Sequence, residues 1–278
     1  MDKDTIKRLI IEYQQFVANI TLIEREIHLS HQLNYVFVGL RRAGKSYLMY
    51  QQIQSLLNDG HQPEEILYFN FEDDRLVNLT VEDLDLIKVS YEELYPHKPI
   101  FFLDEIQIVE HWEKFARRLA DQQYRVYITG SNAKMLSAEI ATTLGGRYIV
   151  QNVYPFSFSE FLKASKIEIG PTWYYKNRTE IVRTFSDYFS YGGLPELMLI
   201  ETIEKRQWLS NLFNKIFFGD LITRYSIRND LAMKVLIRKL AESVKQPSSF
   251  NRLTNIVSTT GAKVSMDTII DYLNFLQA

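Results

Sequence analysis

Residues 39–46 contain two glycines, a lysine and a serine in the spacing Gly39-x4-Gly44-Lys45-Ser46, which could bind phosphate. The glycines let the backbone turn tightly, so that successive N–H groups point at an anion, and a following helix adds its positive N-terminal end. Lys45 could reach the β- and γ-phosphates of a nucleotide, and the Ser46 hydroxyl could ligate Mg²⁺. We therefore expect a nucleotide-phosphate site. The residues expected to form it are Gly39, Leu40, Arg41, Arg42, Ala43, Gly44, Lys45, Ser46 and Tyr47.

Two acids follow a second apolar run at residues 100–105. Residues 100–103 are all apolar, which is typical of a buried strand, and Asp104 and Glu105 come directly after them. We expect Asp104 to hold Mg²⁺ together with Ser46. We expect Glu105 to stand near the γ-phosphate, where its carboxylate could orient or deprotonate water.

Polar side chains also follow two further strand patterns. Residues 66–71 indicate a strand that ends in the acids 72–74, which could approach a metal or water or could form a solvated turn. Residues 124–129 indicate another strand, followed by Gly130, Ser131 and Asn132. Ser131 and Asn132 could contact the γ-phosphate or the attacking water, could cap the next helix, or could do both.

The elements that must position these side chains can be read from apolar periodicity. Residues 35–38 form a short apolar run before the loop, as a buried parallel strand does, and a helix follows the loop as far as Gly60. Helical spacing recurs in residues 3–18, 81–94 and 112–120, whereas the alternation in residues 20–29 slightly favours a strand.

The order of these motifs resembles an AAA+ ATPase of a bacterial and archaeal type whose loop carries Arg-Arg-x-Gly-Lys, here residues 41–45. The resemblance covers about residues 20–225 and rests on residues 39–46, 101–105, 129–132 and 145–147. It implies an α/β fold of the P-loop NTPase type with three layers. In that fold the sheet has five parallel strands, and the acidic strand is not adjacent to the loop strand. A helical lid follows, and Mg-ATP is the ligand.

Arg147 follows two glycines and precedes an apolar run at residues 148–150. In similar ATPases an arginine near this place can face the γ-phosphate of a neighbouring subunit and stabilise charge in the transition state. The alternative is a surface arginine at the start of a strand. The catalytic residues expected from the sequence and the resemblance are Lys45, Glu105, Ser131, Asn132 and Arg147.

The C-terminal part shows a break near residues 170–175, a helix over 181–191, a turn at 192–196 and a helix from residue 232 that ends at Gln246-Pro247. Two more helices, over 248–257 and 265–276, outline a winged helix. Because the second carries Asp267 and Asp271 and no lysine or arginine, it favours a structural or protein-contacting role over DNA reading. The expected domains are a nucleotide-binding core with an N-terminal helix (1–165), a lid (166–225) and a winged-helix-like domain (226–278), with a further segment expected beyond Ala278.

The composition excludes some classes of protein and some kinds of site. The 278 residues are 46% hydrophobic with a net charge of −2, so the chain can bury a large core but has no overall basic field for nucleic acid. There is no cysteine, which excludes disulfides and thiolate zinc sites. The N-terminus lacks a signal-peptide pattern, and no apolar run reaches the roughly 18 residues of a membrane helix, so we expect a cytoplasmic location.

Two functions are compatible with these residues. The first is a Mg²⁺-dependent ATPase that couples nucleotide state to movement of the lid or of a partner. The alternative is a slow-turnover, nucleotide-gated switch or scaffold. A small-molecule phosphotransferase fits the acid pair less well. The expected ligands are ATP or ADP and Mg²⁺, and the expected partners are further copies of the chain or another protein. Nucleic acid is a possible partner that the charge of the chain does not support.

Overall fold

The structure is a computed structural model that describes residues 2–76, 79–131, 142–167, 170–244, 246, 248–261 and 264–277. The chain forms two compact units, residues Met1–Glu201 and Thr202–Ala278. The three-domain division expected from the sequence stays a prediction.

A five-stranded parallel sheet organises the first unit. Its strands are β1 (Asn34–Gly39), β2 (Ile66–Asn70), β3 (Ile100–Asp104), β4 (Val126–Ser131) and β5 (Tyr148–Asn152). Their order across the sheet is β2-β3-β4-β1-β5, and each neighbouring pair is parallel. The order confirms that the acidic strand β3 is not adjacent to the loop strand β1, because β4 lies between them. The carboxyl ends of β1, β3 and β4 therefore lie next to one another at the same end of the sheet.

Helices cover both faces of this sheet. These helices are α1 (Lys3–Asn19), α2 (Lys45–Asn58), α3 (Val81–Leu94) and α4 (Trp112–Asp121). Three further helices follow β5, namely α5 (Phe158–Ala164), α6 (Trp173–Lys176) and α7 (Arg178–Tyr191). Successive strand residues face opposite sides, so Val36 and Val38 pack in a core with α1, α3 and α4, whereas Tyr35 and Phe37 pack in a second core with α2. The three layers expected for the fold are therefore confirmed.

Helix α1 protects one edge of the sheet. The Gln14 side chain donates a hydrogen bond from Nε2 to the carbonyl oxygen of Ile66 in edge strand β2, at 2.8 Å. The Tyr95 hydroxyl in turn donates to Gln14 Oε1 at 2.9 Å and fixes the amide. Covering an edge in this way reduces its tendency to pair with another chain.

The expectation of a strand in residues 20–29 is wrong. The segment has no regular secondary structure, because side chains satisfy its backbone groups instead of a neighbouring strand. Gln51 exchanges two hydrogen bonds with the backbone of Arg25, at 2.7 and 3.1 Å, and Gln54 Nε2 donates to the Ile20 carbonyl at 2.7 Å. The alternating pattern reflects packing against α2 rather than pairing in the sheet.

Every regular element of the second unit that the structure describes is a helix. Its elements are α8 (Thr202–Lys215), a π-helical segment (Ile216–Thr223), α9 (Asp230–Glu242), α10 (Phe250–Ser258) and α11 (Met266–Gln277). They pack around a core of their own that includes Phe217, Leu236, Val257 and Ile269. The described residues of this unit include no strand, so the winged-helix interpretation stays a prediction. Among the described helices of the whole chain, none is both long and apolar enough to cross a membrane.

Candidate functional site

Residues 40–44 connect β1 to α2 as a tight loop. Glycine is required at position 39, because a Cβ atom there would lie 2.1 Å from the carbonyl oxygen of Val153. That approach is fixed by the Val153 N–H, which donates to the Val38 carbonyl at 2.7 Å. At the other end of the loop, Gly44 caps α2 with φ +94°, in the left-handed region that favours glycine.

Lys45 lies over this loop and is only 5% exposed. Its Nζ donates to the carbonyl oxygens of Gly39 at 3.2 Å and Leu40 at 3.4 Å. The same nitrogen lies 3.8 Å from Oε1 of Glu105, which is itself 18% exposed. The structure thus brings the loop lysine and the second acid of β3 together.

Asp104 is buried at the end of β3, where three hydroxyl groups surround its carboxylate. Tyr68 Oη donates to Oδ2 at 2.7 Å, Thr129 Oγ1 donates to Oδ1, and the Ser46 side chain is also hydrogen bonded to it. Burial raises the pKa of Asp104, while the three hydroxyls act in the opposite direction. Ser46 and Asp104 therefore lie side by side, as expected.

Glu105 adopts a left-handed backbone conformation, with φ +57° and ψ +37°. Its N–H donates to Thr129 Oγ1 at 2.9 Å, and the Gln107 amide donates to its carboxylate. A residue with a side chain adopts this conformation at some cost in energy, and such residues cluster at functional sites. The conformation directs the chain away from β3 directly after Asp104.

The remaining expected catalytic residues lie at different places. Ser131 ends β4 and pairs in register with Gly39, which places its backbone beside the loop, and Asn132 lies outside the described residues. Arg147 precedes β5, which begins opposite Asn34 at the start of β1. It therefore lies at the amino end of the strands, whereas the loop of residues 40–44 lies at their carboxyl end. Its guanidinium is paired with Asp121. A role for Arg147 toward another subunit stays a prediction.

Two arginines of the loop contact acidic side chains. Arg41 lies 4.0 Å from Glu72, and Arg42, at φ +64°, is paired with Glu196 of the turn that the sequence indicates at 192–196. Leu40 and Tyr47 are about half exposed. Of the acids after β2, Glu72 thus lies near the loop through Arg41, whereas Asp73 accepts hydrogen bonds from Tyr13 and Arg75 in a local turn.

Sequence reasoning missed a buried arginine beside the loop. Arg25 is 6% exposed, and its guanidinium donates to the carbonyl oxygens of Ala43 at 3.1 Å and Tyr154 at 2.7 Å. It also forms an ion pair with Glu160 at 2.8 Å and lies 5.0 Å from the centre of the Phe156 ring. Only its charge within an alternating apolar segment could have drawn attention to it.

Tyr68 and Thr129 were missed as well. Each is a hydroxyl residue within a strand, and each is fully buried, at 1% and 0% exposed. The signal in the sequence is weak, because tyrosine and threonine are common in strands for reasons of packing alone.

The residues present fit a magnesium ion. The Ser46 hydroxyl and the Asp104 carboxylate are hard oxygen ligands, which Mg²⁺ prefers. In the part of the chain that the structure describes, no group of three or more His, Cys, Asp or Glu side chains could hold a metal. A magnesium ion here would therefore need phosphate oxygens and water to complete its coordination, as expected for an ion that binds together with a nucleotide.

Comparison with known families agrees with this geometry. Residues 31–162 match the family described as an AAA domain, and this segment contains all five strands, the loop and the acid pair. Residues 182–278 match a family described as a domain of unknown function (DUF8612).

Similar proteins include two uncharacterized relatives, each 32% identical to this chain. One, MJ1544 of Methanocaldococcus jannaschii, is matched over 98% of this chain and 61% of its own length. The other, from Haemophilus influenzae, is matched over 92% of this chain and 64% of its own length. The chain thus spans about three fifths of the length of these curated relatives.

Among solved structures, the AMPPCP-bound DnaA of Aquifex aeolicus is 13% identical, with 98% of this chain and 87% of that chain covered and a TM-score of 0.36. Cdc6p of Pyrobaculum aerophilum is 14% identical, with 99% and 85% covered and a TM-score of 0.35. Residues 31–162 match an AAA domain in sequence, and their sheet order and loop are those of an AAA+ type P-loop fold.

Proposed function

We propose that this protein binds Mg-ATP at residues 39–47 and hydrolyses it to ADP and phosphate. The observation that carries the proposal is the convergence of Lys45, Ser46, Asp104 and Glu105 at the end of a glycine-bounded loop. Lys45 Nζ lies within 4 Å of both the loop carbonyls and the Glu105 carboxylate, so one small region holds a cation, a metal-ligating pair and a general base.

Each residue has a defined task in this proposal. The loop N–H groups and Lys45 bind the phosphates and neutralise their charge. Ser46 and Asp104 would hold Mg²⁺, which supplies further positive charge to the phosphoryl group when it is bound. Glu105 orients the attacking water and accepts its proton, a role that its partial exposure permits.

A cleft next to the loop offers space for the base of the nucleotide. The cleft has a volume of about 860 Å³ and is lined by Arg25, Ile27, Tyr154, Phe156 and Tyr188, among others. Arg25 lines it and also contacts the loop carbonyl of Ala43, so the two regions are continuous. Its walls also include the polar or charged residues Glu26, Gln151, Asn152, Ser157 and Glu160, so it could contact the polar edges of a base as well as its faces.

A second function, the slow nucleotide-gated switch, is favoured by one contact. Arg42 of the loop is paired with Glu196, which lies in a short helix at Pro195–Leu199. A bound phosphate would compete with this carboxylate for the arginine, so the charge of the nucleotide would be felt outside the loop. Assembly through Arg147, a protein partner and a cytoplasmic location stay predictions.

The test is to measure binding of a fluorescent ATP analogue and release of phosphate for the wild type and two variants. We expect Lys45→Ala to abolish binding, and Glu105→Gln to keep binding while turnover falls by roughly 10²–10⁴-fold. Two exposed residues near α4 provide matched controls, Lys114→Ala and Glu110→Gln, which should change neither quantity. Unchanged turnover in Glu105→Gln would refute the assigned base, and tight binding with background turnover in the wild type would favour the switch.

A further inference from the structure

Hydroxyl groups from two different strands hold both oxygens of the buried Asp104 carboxylate. Tyr68 comes from β2 and bonds to Oδ2, and Thr129 comes from β4 and bonds to Oδ1. These strands flank β3 on its two sides. The carboxylate is therefore fixed from both neighbouring strands rather than by its own backbone alone.

Tyr68 cannot easily rotate away from Asp104. It is 1% exposed, and its ring packs edge-on against Tyr13 at 5.4 Å and Tyr50 at 5.3 Å between centroids. The hydroxyls of Tyr50 and Tyr68 lie 3.0 Å apart. Packing of this kind locks a side-chain rotamer and so fixes where its hydroxyl points.

The protons of this chain of hydroxyls have a defined direction. Tyr68 has one hydroxyl proton, which points at Asp104 Oδ2, so the contact between the Tyr50 and Tyr68 hydroxyls needs the proton of Tyr50. An ionised carboxylate can only accept hydrogen bonds. Tyr68 therefore donates to Asp104, and Tyr50 donates to Tyr68.

Thr129 joins the metal-binding acid to the water-activating residue. Its single hydroxyl donates to Asp104 and accepts from the N–H of Glu105 at 2.9 Å. The second bond holds the residue whose backbone is in the left-handed region, at φ +57°. Removing this hydroxyl would remove a hydrogen bond from both Asp104 and Glu105, whereas removing the Tyr68 hydroxyl would remove one from Asp104 alone.

We propose that Tyr68 and Thr129 are positioning residues for magnesium, which orient the Asp104 carboxylate toward Ser46, and that Thr129 also sets the position of Glu105. The inference rests on the proposed function and identifies residues that determine metal affinity at the same site. Groups that orient a metal ligand typically change metal affinity by about 10- to 100-fold when they are removed. Neither residue contacts the loop backbone in the described hydrogen bonds, so phosphate binding without metal should not depend on them.

The test measures binding of a fluorescent ATP analogue twice, as a titration with MgCl₂ and in EDTA. We expect Tyr68→Phe and Thr129→Val to raise the Mg²⁺ concentration at half-maximal binding by roughly 10-fold or more, with affinity in EDTA changed less than about twofold. Thr129→Ser, which keeps the hydroxyl, should restore the wild-type midpoint. Turnover at saturating Mg²⁺ should fall further in Thr129→Val than in Tyr68→Phe, because only Thr129 also bonds to the N–H of Glu105.

Tyr127→Phe is the matched control, because this tyrosine is also fully buried but its hydroxyl contacts Gln52 rather than Asp104. Thermal unfolding of every variant without nucleotide shows whether the fold is kept. An unchanged Mg²⁺ midpoint in folded Tyr68→Phe and Thr129→Val would overturn the inference, as would equal losses with Mg²⁺ and in EDTA. If the wild type binds the analogue in neither buffer, the proposed function fails and this inference falls with it.

Discussion

A buried ion pair joins Arg25 and Glu160, and removing either partner alone should destabilise the first unit. Both side chains are 5% exposed, and their charged atoms are 2.8 Å apart. Glu160 also accepts hydrogen bonds from the N–H groups of Glu26 at 3.0 Å and Ser157 at 2.8 Å. One pair thus ties the irregular segment before β1, the phosphate loop and the start of α5 together.

Removing one partner leaves the other charge buried and unpaired, which costs about 3–5 kcal/mol of unfolding free energy. We therefore expect Arg25→Met and Glu160→Gln each to lower the midpoint of thermal unfolding by roughly 6–20 °C, taking 2–4 °C per kcal/mol for a unit of this size. The double variant lacks both charges of this pair, so neither is left unpaired. Its loss should be smaller than the sum of the two single losses by about 2 kcal/mol or more.

Scanning calorimetry is the assay, because it measures the midpoint and the enthalpy of unfolding directly. Asp85→Asn is the control, since Asp85 pairs with Arg118 at the surface, where the two side chains are 49% and 48% exposed. Such pairs contribute only about 0–1 kcal/mol. Single variants of the buried pair that lose less than about 1 kcal/mol would refute the reasoning, and so would losses that simply add in the double variant.

Two further predictions concern the loop and acid pH. Gly39→Ala places a Cβ against the Val153 carbonyl, so we expect a loss of about 1–3 kcal/mol and weaker binding of an ATP analogue. Gly60→Ala, at φ +98° with open space around it, should lose about 1–2 kcal/mol and keep binding unchanged. Equal affinities of the Gly39→Ala and Gly60→Ala variants for the ATP analogue would contradict this reasoning. Burial raises the pKa of Glu160, but its hydrogen bonds to Arg25, Ser157 and Glu26 outweigh burial and lower the pKa below the ordinary 4.5. The stabilisation is therefore full above pH 4.5 and lost as pH falls through the lower folded pKa. The unfolding free energy measured against pH in the acid range should change less steeply in Glu160→Gln than in the wild type. Equal slopes for the two proteins would count against this prediction.

Most of the individual elements could be predicted from periodicity. The helix expected over residues 81–94 is α3, and the strands expected around 66–71 and 100–105 are β2 and β3. Prediction failed at residues 20–29, since alternation records which side chains are buried but not what their backbone bonds to. Here Gln51 and Gln54 of α2 satisfy that backbone, and no local pattern specifies such distant partners.

The amino-acid sequence by itself determined the loop and the acid pair, because in both motifs the spacing along the chain is already the geometry. Gly39, Gly44 and Lys45 bound a single loop, and Asp104 ends a strand that Glu105 directly follows. The tertiary structure alone decided which hydroxyls hold Asp104 and which buried cation supports the loop. Tyr68 and Thr129 reach it through the pairing of parallel strands, and Arg25 reaches the loop from a segment without regular structure. Such contacts depend on packing between residues far apart in the chain, which local propensity does not encode.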